Sequence, residues 1–239
     1  MRLVGAPPPP EVIRVATDQG ECGPEPTRAS DALVLSPSRG VKNAVVFIGH
    51  ERMHGWRSPT TAQIDQPRCV FVPRVTIVPD GVPRTFAGAK GPAPKPAQKP
   101  ALDQKGCRFN PHVLVVPAGA EMDILNSDGI LHNIDTFSSA NASINKAQPK
   151  FKKVMTEKFD KPEIIKVQCD VHGWMQAWIV VGAHAAYAVS DDSGAFKLDN
   201  VPPGKHKVEI WHETLGKLSQ EVEVKAGAPT RVTFEMSKK

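Results

Sequence analysis

The stretch Cys169-Asp170-Val171-His172-Gly173-Trp174-Met175 places a thiol, an imidazole and a thioether within one short run. A thiolate with imidazoles and a weak axial thioether suits copper moving between its two oxidation states. A set of two imidazoles and one thiolate needs a second histidine, which the chain offers upstream as His132, in Asn126-Ser127-Asp128-Gly129-Ile130-Leu131-His132-Asn133-Ile134. Taken singly, each residue has a plainer reading. A lone buried Cys is usually a small hydrophobe, a Met fills core space, and a His is often just hydrogen-bonded. In this order and spacing, His132, Cys169, His172 and Met175 form a candidate metal set.

A distant His followed by Cys-x₂-His-x₂-Met resembles the cupredoxins, the small blue copper proteins. The short loop is most similar to the amicyanin-like and plastocyanin-like members, although Gly173 stands where amicyanin-type loops carry Pro. The resemblance implies an all-β Greek-key sandwich, one type 1 copper, and single-electron transfer between redox partners in place of enzymatic turnover. Within it Cys169 supplies the short thiolate bond, His132 and His172 the equatorial nitrogens, and Met175 the weak axial contact. It further implies that Asn133 ties the two ligand-bearing loops together, and that His112 is not a ligand. His172 is expected near the surface, with Gly173 and Trp174 offering an apolar patch to a partner. That partner would be a redox protein such as a c-type cytochrome or a membrane-bound complex, met in the periplasm or another extracytoplasmic space. Two other readings stay open, a structural or accessory subunit of a larger assembly and a copper carrier.

The elements that must position these residues read as strands. The 23 Pro and 18 Gly of the 239-residue chain punctuate short apolar patches, a pattern that favours an all-β build over a helical one. Lys161-Pro162-Glu163 to Gln168 enters the Cys169 loop and Trp178 to Val181 leaves it, so the loop joins two neighbouring strands. Val113 to Val116 and Met122 to Asn126 read as the strands that lead to His132, and the polar stretch Asp135 to Pro162 as loop with one short strand.

Four segments are expected: a β segment over 1–85, a Pro/Lys/Ala-rich spacer over 86–101, the cupredoxin-like part over 102–182, and a small sandwich over 183–239. The last carries alternating stretches around Phe196, Val208, Val222 and Phe234, with turns at Asp191-Asp192-Ser193-Gly194 and Val201-Pro202-Pro203-Gly204. It resembles the carboxypeptidase regulatory-like, transthyretin-like sandwich, in which Tyr187, Trp211 and His212 would be packing residues. The combination as a whole is similar to methylamine-utilisation-like bacterial proteins. The stretch from Ile64 to Gly81 nearly repeats Leu102 to Gly119, but it leads to no upstream histidine and so reads as a remnant strand. His50 and His54 lack a third ligand and read as surface histidines.

With Cys169 on metal, three of the four cysteines remain, so at most one internal bridge forms. Cys22–Cys107 is slightly favoured over Cys22–Cys69, with Cys69–Cys107 as the rival. The net charge of +5 gathers in lysines from Lys146 to Lys166. No nucleic-acid recognition module accompanies it, which leaves a solvated face or a dock for an acidic partner. No apolar run reaches the length of a membrane span. The start, Met1 to Ala6 followed by four Pro, lacks the apolar core of a signal peptide, so composition leaves the compartment open.

Overall fold

A computed structural model describes residues 1–23, 25–49, 99–184, 186–199 and 201–238, together with the backbone of two short strands, Ala62–Asp65 and Arg84–Ala87. His50, His54, Cys69, nearly all of the first near-repeat and most of the 86–101 spacer lie outside the described residues. Among the described residues the architecture is all-β, as expected, with one single-turn helix at Gln19–Cys22. Among the described residues no helix is long and apolar enough to cross a membrane.

Two sheets form the part that holds the candidate site. One runs, in spatial order, Asn145–Gln148, His132–Phe137, Glu163–Gln168, Gln176–Gly182 and Val113–Pro117. Its pairings are antiparallel except the last, which is parallel and sets Trp178 opposite Val113. The other runs Val154–Lys158, Glu121–Asn126, Ala101–Gln104 and Phe109–Asn110. Alternation decides which faces meet. In Glu121–Asn126 the residues Met122, Ile124 and Asn126 point inward and are buried, while the residues between them are not. Facing them across the core are Ile134, Ile165, Val167, Ala177 and Ile179.

Two expectations differ from what is found. The polar span from Asp135 to Pro162 holds two further strands, Asn145–Gln148 and Val154–Lys158. Each is the edge strand of its sheet. Val154–Lys158 buries only Met155, so its composition looks like that of a loop. The second difference is that Val45–Ile48 does not build a sheet within the amino-terminal stretch. It lies between Tyr187–Val189 and Gly204–His212, in a four-stranded sheet completed by Gly216–Val224. All four of its residues are apolar, as suits an inner strand with both faces covered. One face joins the core built on Leu3, Val41, Ile210 and Phe234. The other meets the outer face of the two-sheet part that holds the candidate site, through Val45, Val113, Val180, Tyr187 and Trp211. Tyr187 stacks on Phe47 and Trp211 meets Trp178 edge-on, which gives both the packing roles expected of them. His212 is also buried, and its Nδ1 accepts the amide N–H of Thr214.

Candidate metal centre

Cys169 follows directly on Glu163–Gln168, and Met175 directly precedes Gln176–Gly182. The loop between them is closed by its own backbone. The Cys169 amide donates to the Met175 carbonyl (3.1 Å) and the Met175 amide to the His172 carbonyl (2.8 Å). Asn133, the residue after His132, pins the loop from the neighbouring strand. Its side-chain oxygen accepts the Asp170 amide, and its side-chain amide donates to the Asp170 carboxylate (3.0 Å) and to Asn145 (2.9 Å). The expected tie between the segments that carry His132 and Cys169 is therefore present.

Three of the four expected residues converge. One donor atom each from His132, Cys169 and His172 lies within 4.8 Å of the other two, and all three residues are buried. The two Nδ1 atoms stand 3.0 Å apart, and Cys169 Sγ is 3.8 Å from His172 Nδ1. Met175 is 1% exposed and packs in the same apolar cluster as Cys169. His112 lies apart from them, paired with Glu213, which also accepts the indole N–H of Trp178 (2.9 Å).

Both histidines are held from behind by carboxylates that sequence reading did not single out. His132 Nε2 meets Asp128 and His172 Nε2 meets Asp18, each at 2.9 Å. A carboxylate accepts, so each Nε2 carries the proton and each Nδ1 presents its lone pair inward. Two lone pairs aimed at one another across 3.0 Å repel unless a cation lies between them. Imidazole nitrogens about 2.0 Å from a tetrahedral metal would stand roughly 3.3 Å apart, close to the separation found. The donor set thus fits a soft or borderline metal ion, with a thiol supplying the third position.

Protonation follows from burial and these contacts. Burial would raise the Asp128 carboxyl, but the amides of Cys107 and Gly106 and the His132 ring together hold it below its ordinary value. Burial lowers His132, and Asp128 only partly opposes that. The Cys169 thiol is pushed up by burial, against hydrogen bonds from the backbone around it. His132 is thus held neutral, with its single proton on the outer nitrogen, and the Cys169 thiol is kept protonated until a metal displaces the proton.

The two carboxylates arrive by different routes. Asp128 sits in the turn before His132, four residues away, where sequence proximity could have flagged it. It accepts the amides of Gly106 (2.8 Å) and Cys107 (2.9 Å), two successive residues at φ +62° and +50° whose N–H groups converge on it. Asp18 comes from the amino-terminal segment, just before the helix Gln19–Cys22, and no local motif marks it. A disulfide joins Cys22 to Cys107, the pairing slightly favoured from sequence. Arg28 adds to the seam, donating to the carbonyls of Gly106 and Cys107 and lying 5.8 Å from the centre of the Trp174 ring. Trp174 in turn packs at 5.1 Å against the His172 ring.

This seam corrects one expectation. His172 is not at the rim; it is 0% exposed, because the segment carrying Asp18 and Cys22 covers the loop. Val171 and Gly173 are exposed and Trp174 partly so, but the imidazole of His172 between the first two is buried.

No family model and no curated protein matches the chain. Among solved structures it is similar to a methionine-to-alanine variant of amicyanin in its Cu(I) form (16% identity, TM-score 0.33), over 35% of this chain and 82% of that one. Amicyanin from Paracoccus versutus is similar at 15% identity and TM-score 0.33, over 37% and 85% of the two chains. A copper-containing nitrite reductase from Thermus scotoductus SA-01 is similar at 18% identity and TM-score 0.36, over 55% of this chain and 29% of that one.

Proposed function

We propose that this protein carries single electrons between redox partners in an extracytoplasmic space, using one copper held by His132, Cys169 and His172 with Met175 as the weak fourth contact. The observation that carries the reading is the pair of inward-facing Nδ1 atoms 3.0 Å apart beside a buried thiol, each ring fixed from outside by a carboxylate. Bound there, copper supplies a one-electron couple between Cu(II) and Cu(I). The chain's part is to hold the donors still. The backbone bonds across 169–175, the Asn133–Asp170 tie and the two carboxylates each restrain a ligand-bearing atom, so little rearrangement accompanies a change of charge. Full burial of the three convergent residues argues for a resident ion over a carrier's transferable one, and no open position for a substrate is called for. The reading is of a protein that is not an enzyme.

The test is the visible spectrum of the oxidised, copper-loaded protein together with metal analysis. One copper per chain and an intense charge-transfer band that vanishes in Cys169→Ser are expected. Two coppers per chain, or colour surviving in the variant, would overturn the reading.

A further inference from the structure

His132 and His172 are both 0% exposed, so a partner reaches the site through the residues around them, and the surface beside His132 has the composition for it. His132 is paired in register with Gln148. Directly beyond Gln148 the chain turns, the Lys152 amide donating to the Pro149 carbonyl (2.8 Å), and it presents Phe151 at 82% exposure. Leu131, covalently next to His132, is 46% exposed, and Val154 is 51% exposed. Lys150, Lys152 and Lys153 are interleaved with these apolar residues and exposed, and none forms an ion pair among the described residues. Lys153 instead donates to the backbone carbonyl of Asp128, the residue whose carboxylate holds His132. Neighbouring cations are engaged, Lys146 with Glu157 and Lys158 with Asp160, so of the lysines from 146 to 158 those left without an ion pair among the described residues are the ones at this turn.

We propose that Leu131, Phe151 and Val154, ringed by Lys150, Lys152 and Lys153, are the docking surface for the acidic face of a redox protein, and that the electron crosses at His132. This rests on the copper reading above. One electron passes between the two proteins, the donor being oxidised and the acceptor reduced by one, and no bond or proton changes hands. The lysines steer an anionic surface, and the apolar centre lets it come close without burying an unpaired charge. A protein is favoured over an anionic membrane because the exposed apolar residues are few: Leu131 directly precedes His132–Phe137, Phe151 lies in a turn and Val154 opens Val154–Lys158, with no amphipathic helix among the described residues to lie in a bilayer interface.

The experiment is film voltammetry of the copper-loaded full chain on gold coated with carboxylate-terminated or with ammonium-terminated monolayers. Exchange at least about tenfold faster on the carboxylate surface is expected, the advantage falling as salt is raised. Lys150→Glu/Lys152→Glu/Lys153→Glu should abolish the preference, and Phe151→Ser should slow exchange on the carboxylate surface, both without altering the visible spectrum or midpoint potential. Lys217→Glu/Lys225→Glu/Lys238→Glu, on the far sandwich, should leave the preference intact. A preference that survives the first triple reversal, or that the far-side reversal removes, overturns the docking surface alone. Lysine-dependent sedimentation with phosphatidylglycerol vesicles at physiological salt overturns it in favour of a membrane. A chain that shows no wave on either surface overturns the copper reading, and this proposal with it.

Discussion

His132 and His172 are held in nearly the same way by regions with little else in common. Each ring is buried, turns Nδ1 inward and gives its outer nitrogen to a carboxylate at 2.9 Å. Asp128 belongs to the sandwich that it serves, has a side chain only 11% exposed, and accepts two backbone amides. Asp18 comes from outside the sandwich, with a side chain 44% exposed. Its placement depends on the short helix behind it and the bridge from Cys22 to Cys107. The same ligand geometry has therefore been reached once by folding and once by fastening. The two should fail differently.

Breaking the fastening should have the largest effect on the chain as a whole. Cys22→Ser/Cys107→Ser opens a long loop, and a loss of roughly 2–4 kcal/mol in chemical denaturation is expected. Exchange of the His172 Nε2 proton, followed by NMR, should quicken at the same time while that of His132 stays slow. Equal quickening at both rings would show that the bridge serves the whole site and not one half of it.

Asp128→Ala should come next. It strips His132 of its partner and leaves the Gly106 and Cys107 amides without an acceptor, which costs about 2 kcal/mol in the metal-free protein. Copper affinity should fall about 10–100-fold, as is typical when a residue behind a ligand is lost.

Glu163 sharpens the point, because it is a carboxylate caught in a similar way with no metal ligand attached. It accepts from the amides of Ser139, Ala140 and Asn141 and from the side chains of Ser138, Ser139 and Asn141. Burial acts to raise its carboxyl, but these donors hold it far below the ordinary range. A depressed carboxyl stabilises the fold fully above its unfolded value of roughly 4.3, and the contribution is lost as pH falls through the folded value. Glu163→Gln should cost about 1 kcal/mol at neutral pH, after allowing for solvent screening, and the deficit should shrink as pH drops below about 4. Copper binding should be unchanged. A deficit that grows in acid would contradict the sign.

Asp18→Ala should have the smallest effect on stability, within about 0.5 kcal/mol for an exposed side chain. Its signature lies in the metal site instead. Removing a negative charge next to His172 disfavours Cu(II), so the midpoint potential should rise, and Asp18→Glu should restore part of the change. An unaltered potential would mean that the carboxylate merely covers the ring.

Legibility from sequence followed the range of each contact. The loop from Cys169 to Met175 is local, and its strands alternate clearly enough to be placed. His132 was reachable because a two-imidazole, one-thiolate set must be completed. Asn133 came with the resemblance, and its bonds to Asp170 are found. The position of His172 was misjudged because nothing near Asp18 says that it will lie against a ring 154 positions away. Cysteine arithmetic came nearest to that information, since the Cys22–Cys107 bridge brings Asp18 to the loop. The edge strands Asn145–Gln148 and Val154–Lys158 were hidden for a different reason. An edge strand with one face in water carries too few apolar residues to announce itself.

The place of Val45–Ile48 between Tyr187–Val189 and Gly204–His212 has a consequence for how the chain is made. A ribosome delivers the strand long before either of its neighbours. Four consecutive apolar residues must wait with both hydrogen-bonding edges open until Tyr187–Val189 and Gly204–His212 have emerged, which is the condition under which strands pair with the wrong chain. The stretch from Ala101 to Gly182 faces no such delay, because every strand of its two sheets lies within it. In vectorial synthesis the sandwich that carries His132 and Cys169 can close first and offer its outer face, with Val113 and Val180, as a surface on which the waiting strand can rest.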